Sequence, residues 1–243
     1  MALEQSSSRR LRRTAAARTL DPTEKGAVNY FLGLTICKLF AAKLLDAPWM
    51  LHLDVFRPYL DVMLASRSRP DLVGQTLAGN WIVLECKGRI SSPDTAVKNR
   101  AKQQAMRVVS ISGAAPSRCI GGIAFFKNDV LQFYWRDPDP ETRNPIRIEP
   151  SPQTWSYYYR PALELVQSNP TYLTQMRERP TLMPVPQADI KVGIRPEVLR
   201  HLEAAQWEDA RTSAQTLPIV DTEYHRDGIA IVAGPSWLER FAD

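Results

Sequence analysis

Trp81-Ile82-Val83-Leu84-Glu85-Cys86-Lys87 is the stretch on which the reading of the fold turns. It is rich in β-branched and aromatic residues and follows the turn sequence Ala78-Gly79-Asn80, so it predicts a strand. Period-two alternation puts Trp81, Val83, Glu85 and Lys87 on one face, with Ile82, Leu84 and Cys86 on the other. The strand is otherwise apolar, so Glu85 and Lys87 emerge side by side at its end. Asp71 lies 14 residues before Glu85, in the short strand Pro70-Asp71-Leu72-Val73-Gly74. A hairpin of that length folds Asp71 back beside Glu85. Two carboxylates and an ammonium then meet at one edge of a sheet.

Upstream, Asp21-Pro22-Thr23-Glu24 opens a helix: Asp21 caps, Pro22 suits the first turn, and Glu24 sits three residues after the cap. The helix is expected to run to about Leu45, with Leu32, Ile36, Phe40 and Leu44 on one core-packing face. Two β-like runs follow, near Met50–Phe56 and Leu60–Ser66. Downstream, Pro93-Asp94 opens a second helix to about Ser110. Strands over Arg118–Phe126 and Val130–Trp135 are joined at Lys127-Asn128-Asp129, a hairpin signal. This order predicts an α/β fold, a mixed central sheet flanked by helices.

Beyond Trp135 the composition shifts. Pro138, Pro140, Pro145, Pro150 and Pro152 punctuate a linker-like stretch. A Pro-rich, mainly helical C-terminal extension follows. Its helices are expected over Thr154–Gln167, which holds Tyr157, Tyr158 and Tyr159, and from Pro196 to about Gln215. A β-like run, Gly228–Ala233, precedes Trp237-Leu238. The expected organisation is a flexible basic arm over 1–20, a core over 21–136 and an accessory region over 137–243.

Composition narrows the function. With 243 residues, 44% of them hydrophobic, the chain can bury a full core, which excludes a wholly disordered protein. The longest near-apolar run, Tyr30–Leu45, is interrupted by Lys38 and Lys43, so no membrane-spanning helix or secretory signal is expected. Cys37, Cys86 and Cys119 are odd in number and scattered, which argues against a disulfide framework and for a cytoplasmic location. His52, His201 and His225 lie too far apart for a zinc motif, and no glycine-rich phosphate loop is present. Lys plus Arg number 31 against 26 acids, a modest excess that permits a polyanionic partner. Part of that excess is local: Arg9, Arg10, Arg12, Arg13 and Arg18 stand against Glu4 in the arm, suited to phosphates.

The Asp71, Glu85 and Lys87 grouping makes chemical sense for phosphodiester hydrolysis. Two carboxylates held close repel, and a divalent cation relieves the repulsion by taking both as hard oxygen ligands. Mg²⁺ suits such a site, with Mn²⁺ able to substitute, because it keeps waters, one of which can become the nucleophile. The Cys86 carbonyl, between the two side chains, offers a third oxygen. Lys87 can orient or deprotonate the attacking water, or offset charge on the phosphorane. Cys86 itself is expected to be a buried packing thiol.

Pro70-Asp71 followed by Glu85-Cys86-Lys87 resembles the PD-(D/E)xK signature of the restriction-endonuclease-like nucleases. The helix before the strands and the helix after Lys87 are similar to that family's core, over roughly residues 22–135. The resemblance implies a restriction-endonuclease-like mixed sheet, metal ligation by Asp71 and Glu85, and Lys87 as third catalytic residue. It also implies a Gln on the second helix near the scissile phosphate, for which Gln104 faces the sheet and Gln103 does not. Glu24 stands where several relatives keep an additional acid, and serves equally as a cap. Lys98 with Lys102, and Arg100 with Arg107, form basic rows beside the site. Asp54 and Asp61 lack the Pro-Asp context.

The expectation is therefore a Mg-dependent endonuclease acting on DNA, with RNA as the alternative substrate, of a kind found in bacterial defence and mobile-element processing. A homodimer, or a place in a larger complex, fits such an enzyme. The rival expectation is a catalytically silent scaffold or nucleic-acid-binding subunit that keeps the fold.

Overall fold

The computed structural model describes residues 3–55, 62–63, 69–137, 145–218 and 223–237. Its long helix begins where the sequence caps it. The Asp21 carboxylate accepts hydrogen bonds from the backbone N–H groups of Thr23 (2.6 Å) and Glu24 (3.1 Å), and the Glu24 carboxylate accepts one from the Asp21 N–H (3.0 Å). In chain order the first unit contains β1 (Leu3–Gln5), β2 (Leu11–Arg13), α1 (Ala15–Thr19), α2 (Pro22–Leu44), β3 (Trp49–His52), β4 (Val62–Met63), β5 (Leu72–Gln75) and β6 (Trp81–Arg89). There follow α3 (Thr95–Ala105), β7 (Val108–Ile111), β8 (Arg118–Lys127), β9 (Val130–Arg136) and β10 (Ile146–Ile148).

Seven strands form one mixed sheet in the order β1-β2-β9-β8-β6-β5-β3, and the fold is α/β as expected. β6 and β8 run parallel; every other neighbouring pair is antiparallel. Two adjacent glycines on β8 show how the helices reach it. A Cβ at Gly122 would meet the Cys37 sulfur of α2 at 2.7 Å, whereas one at Gly121 would meet the backbone of Ala101 and Lys102 in α3 at 3.0 Å. Successive strand residues point to opposite faces, so α2 covers one face of the sheet and α3 the other. The α2 side holds an apolar core of Cys37, Phe40, Ala41, Met50, Leu72, Ile82, Leu84, Cys86 and Ile120. Each fully buried aliphatic side chain there contributes roughly 1.5–3 kcal/mol. Gly88 and Gly33 let α2 press onto the end of β6, since a Cβ at Gly88 would lie 1.6 Å from the Asn29 carbonyl oxygen.

Several expectations need correction. The arm expected to be flexible is ordered from residue 3: β1 and β2 form a hairpin that joins the sheet through Arg12 opposite Val130, and α1 follows. Arg13 anchors it, pairing with Asp129 (2.5 Å) with its guanidinium 4.9 Å from the centre of the Phe126 ring; Arg18 reaches the same carboxylate at 3.4 Å. The second helix stops at Ala105 rather than Ser110, because the β-branched pair Val108-Val109 enters β7 instead. Arg107 therefore lies beyond the helix and is buried, so no row with Arg100 exists. The first unit runs to Pro150, not residue 136, because β10 pairs with β7 and β4 in a second, three-stranded sheet. Of the run expected over Leu60–Ser66, the described part is β4; Phe56, Asp61, Pro138, Pro140 and Leu238 lie outside the described residues. By length and composition alone α2 could cross a membrane, contrary to the reading of its two lysines as interruptions; in this fold one face of it packs on the sheet.

The second unit, residues 151–243, has its own core. It contains α4 (Thr154–Gln167), α5 (Pro170–Glu178), β11 (Met183–Val185), β12 (Ile190–Ile194), α6 (Pro196–Glu203), α7 (Trp207–Thr216) and β13 (Ile229–Ala233). The strands form an antiparallel sheet in the order β11-β12-β13. The single helix expected from Pro196 is two helices. Ala205 adopts a left-handed conformation (φ 55°), and the N–H groups of Ala205 and Gln206 donate to the carbonyls of Leu202 and His201. That is a Schellman end, built on alanine instead of the usual glycine. It turns Trp207, Ala210 and Ala214 inward beside Leu199 and Leu202.

Candidate metal centre

Strand register assembles the site. β5 pairs with β6 with Leu72 opposite Leu84 and Val73 opposite Val83. One step further along this register, Asp71 stands opposite Glu85, on the face that carries α3. Asp71 Oδ2 accepts a hydrogen bond from the Cys86 N–H (2.8 Å). The N–H and C=O of a strand residue point to the same neighbour, so the Cys86 carbonyl also faces the side occupied by Asp71. Lys87 shares the Glu85 face by alternation. Its Nζ donates to Glu85 Oε1 (2.5 Å) and to Gln104 Oε1 of α3 (2.7 Å). The structure thus brings Asp71, Glu85, Lys87 and Gln104 together, with Gln104 inward and Gln103 exposed.

The electrostatics of this group are unfavourable without a further cation. Glu85 is only 3% exposed. Burial first, and the negative charge of Asp71 second, push its carboxyl up to about 8, with Lys87 offsetting part of the effect. Burial also raises Asp71, against the pull of the Cys86 N–H, Lys87 and His52. Glu85 Oε2 is buried and has no hydrogen-bond donor while both carboxylates are ionised; a proton on either lets Glu85 and Asp71 hydrogen-bond to each other. An unsatisfied buried polar atom costs roughly 1–3 kcal/mol, more if charged. A small dication near Glu85 Oε2 and Asp71 would remove both penalties. Among the described residues there is no group of three or more His, Cys, Asp or Glu arranged to hold a metal ion. The residues that could hold a metal here are the two carboxylates and the Cys86 carbonyl, all hard oxygens of the kind Mg²⁺ takes alongside water.

The remaining candidates divide. Lys98 lies over the Tyr134 ring (4.9 Å) on the site face of the sheet, and Lys102 is half-buried on the same helix. Arg9, Arg10 and Arg12 are exposed on the hairpin, whereas Arg13 is committed to Asp129. Glu24 is engaged in its cap, and Asp54 pairs with Arg69. Asp61 falls outside the described residues. Cys86 is buried, its thiol pushed well above the ordinary range by burial. Of the tyrosine cluster, Tyr158 donates to Asp227 Oδ2 (2.5 Å) and Tyr159 to the Asp227 carbonyl (3.1 Å), which ties both to the second unit's interior rather than to a ligand surface.

Two residues near the site went unread in the sequence. Tyr30 Oη and His52 Nε2 share a hydrogen bond (3.1 Å), and His52 Nδ1 is buried without a partner. His52 pairs with Leu72, the neighbour of Asp71. Burial and the negative charge of Asp71 raise the Tyr30 phenol. Only the packing of α2 and the pairing of β3 reveal them; no local motif marks either residue. Comparison of the chain with protein-family models, with curated proteins and with solved structures finds no match.

Proposed function

We propose that this chain is a Mg²⁺-dependent nuclease with a restriction-endonuclease-like core, hydrolysing phosphodiester bonds in DNA. The observation that carries the reading is the buried Glu85 Oε2 beside Asp71, donor-less while both carboxylates are ionised, with Lys87 fixed between Glu85 and Gln104. When bound by Asp71, Glu85 and the Cys86 carbonyl, Mg²⁺ or Mn²⁺ would supply Lewis acidity and a water of lowered pKa. The chain's own residues do the rest. Lys87 Nζ, held at two points, presents fixed positive charge where an incoming water must be oriented and where a phosphate gains charge. Gln104 spends its oxygen on Lys87, leaving its NH₂ group to donate to a phosphate oxygen. The interior position of Glu85 keeps competing water from the carboxylate.

Charge distribution agrees with a phosphate-bearing substrate on the first unit. Residues 1–150 hold 22 Lys and Arg against 14 acids, whereas residues 151–243 hold 9 against 12. Incubating the protein with supercoiled plasmid, duplex DNA or RNA in Mg²⁺, Mn²⁺ or chelator tests the reading. Metal-dependent cleavage of DNA is the expected result. Cleavage of RNA alone moves the assignment to a ribonuclease, and no cleavage of any substrate favours the scaffold.

A further inference from the structure

We infer that Arg89, Lys127 and Arg12 form a phosphate-binding row that leads from the metal centre across the sheet and holds the backbone of duplex DNA; this rests on the nuclease reading above. The argument is one of register. In the parallel pair β6–β8, Glu85 aligns with Gly121, Lys87 with Ile123 and Arg89 with Phe125. Lys127, two residues on, therefore shares the face of Glu85. Lys127 pairs with Val130 of β9, and Val130 pairs with Arg12 of β2. Paired residues point to the same side, so Arg12 lies on that face too. The opposite face is accounted for: Arg13 and Phe126 meet there, and α2 covers it.

The row lies at the open end of the site face. Helix α3 crosses that face with Lys98 over Tyr134 of β9, Ala101 over Gly121 of β8, and Gln104 at Lys87 of β6. Phe125 and Lys127 lie further along β8, beyond this crossing, and Lys127 is exposed, as is Arg12. Neither takes part in any ion pair among the described residues. From β6 to β2 the span is three strand spacings, about 14 Å. Along duplex DNA that is roughly four base pairs of rise, enough for several phosphates on one strand. Two acids adjoin the row: Asp129, in the turn between Lys127 and Val130, is paired with Arg13 and Arg18, and Glu4 stands directly across from Arg12 in the hairpin. Glu4 makes no ion pair with Arg12. The N-terminal hairpin is thus the far end of the row. Arg13 and Arg18 dock it through Asp129.

The test is fluorescence anisotropy of a labelled 20-base-pair DNA duplex with the full chain in chelator, where cleavage cannot interfere, over a range of salt concentrations. The double variant Arg12→Ala/Lys127→Ala should flatten the log–log salt slope by about 1.8, two contacts at about 0.9 each. Glu4→Gln should tighten binding, and Lys43→Ala, near the far end of α2, should leave it unchanged. Urea midpoints matching wild type show that the variants fold. An unchanged slope in the double variant, or weaker binding by Glu4→Gln, overturns the row. Tighter binding to an RNA duplex than to DNA overturns the DNA assignment. Cleavage by the double variant at saturating DNA separates the two readings. Lost affinity with retained metal-dependent cleavage supports both, whereas an unchanged slope with retained cleavage removes the row alone.

Discussion

Glu85→Gln should stabilise the metal-free protein while destroying its metal affinity. Glu85 is buried, and its carboxyl is pushed up to about 8 from an ordinary value of 4.5. An acid raised in this way binds its proton more tightly folded than unfolded. Its contribution to stability is fully present below about pH 4.5 and is lost as pH rises toward and through about 8. At pH 7 the folded protein must hold a proton that the unfolded chain has released. At about 1.36 kcal/mol per pH unit above the ordinary value, that costs roughly 3 kcal/mol. Glutamine has the shape of the protonated acid and keeps an oxygen for Lys87 Nζ, so the variant avoids the cost. Urea unfolding in chelator should show little difference between variant and wild type at pH 4.5, and a gain of roughly 3 kcal/mol for the variant at pH 7. Calorimetry with Mg²⁺ should show the variant's affinity lost. A variant less stable than wild type at pH 7, or a difference independent of pH, would refute the account of Glu85 as a charge retained for metal binding.

Two further perturbations test the scaffold beneath the site. Gly88→Ala would drive a methyl into the Asn29 carbonyl oxygen, so α2 must shift from the end of β6; a loss of about 3 kcal/mol or more in urea unfolding is expected, and a variant as stable as wild type would mean that α2 is not pressed there. In the second unit, Tyr158→Phe removes the hydroxyl donated to the buried Asp227 carboxylate and should cost roughly 1–3 kcal/mol, whereas a neutral substitution would show that Asp227 draws its support elsewhere.

What the sequence revealed followed from local rules. Period two in Trp81–Lys87, the 14-residue interval to Asp71 and the Asp21–Glu24 capping box each act within a few residues or one hairpin, and each appears as expected. So does the tight turn at Asn128-Asp129, where both residues take positive φ. What stayed hidden was decided by partners distant in sequence. The N-terminal segment is polar and basic and offers little local β signal, yet it becomes a strand because Arg13 finds Asp129 and Phe126 over 110 residues away. β7 and β10 are short and stabilise one another across the Pro-rich stretch that suggested a linker. The helix break after Glu203 carries no glycine, so its left-handed alanine left no mark on composition. Tyr30 and His52 come near Asp71 only through packing of α2 and pairing of β3, which no spacing rule anticipates.

The most direct test of the central claim is the Lys87→Ala variant, assayed for Mg²⁺ binding by calorimetry and for DNA cleavage on the same preparation. Lys87 supplies no metal ligand and places positive charge beside Glu85 Oε1, so its removal relieves a repulsion felt by the dication. The account predicts Mg²⁺ affinity at least equal to wild type, with turnover reduced by about 100-fold or more, the scale of losing a positioned electrostatic or acid–base group. Full cleavage activity in Lys87→Ala would contradict it.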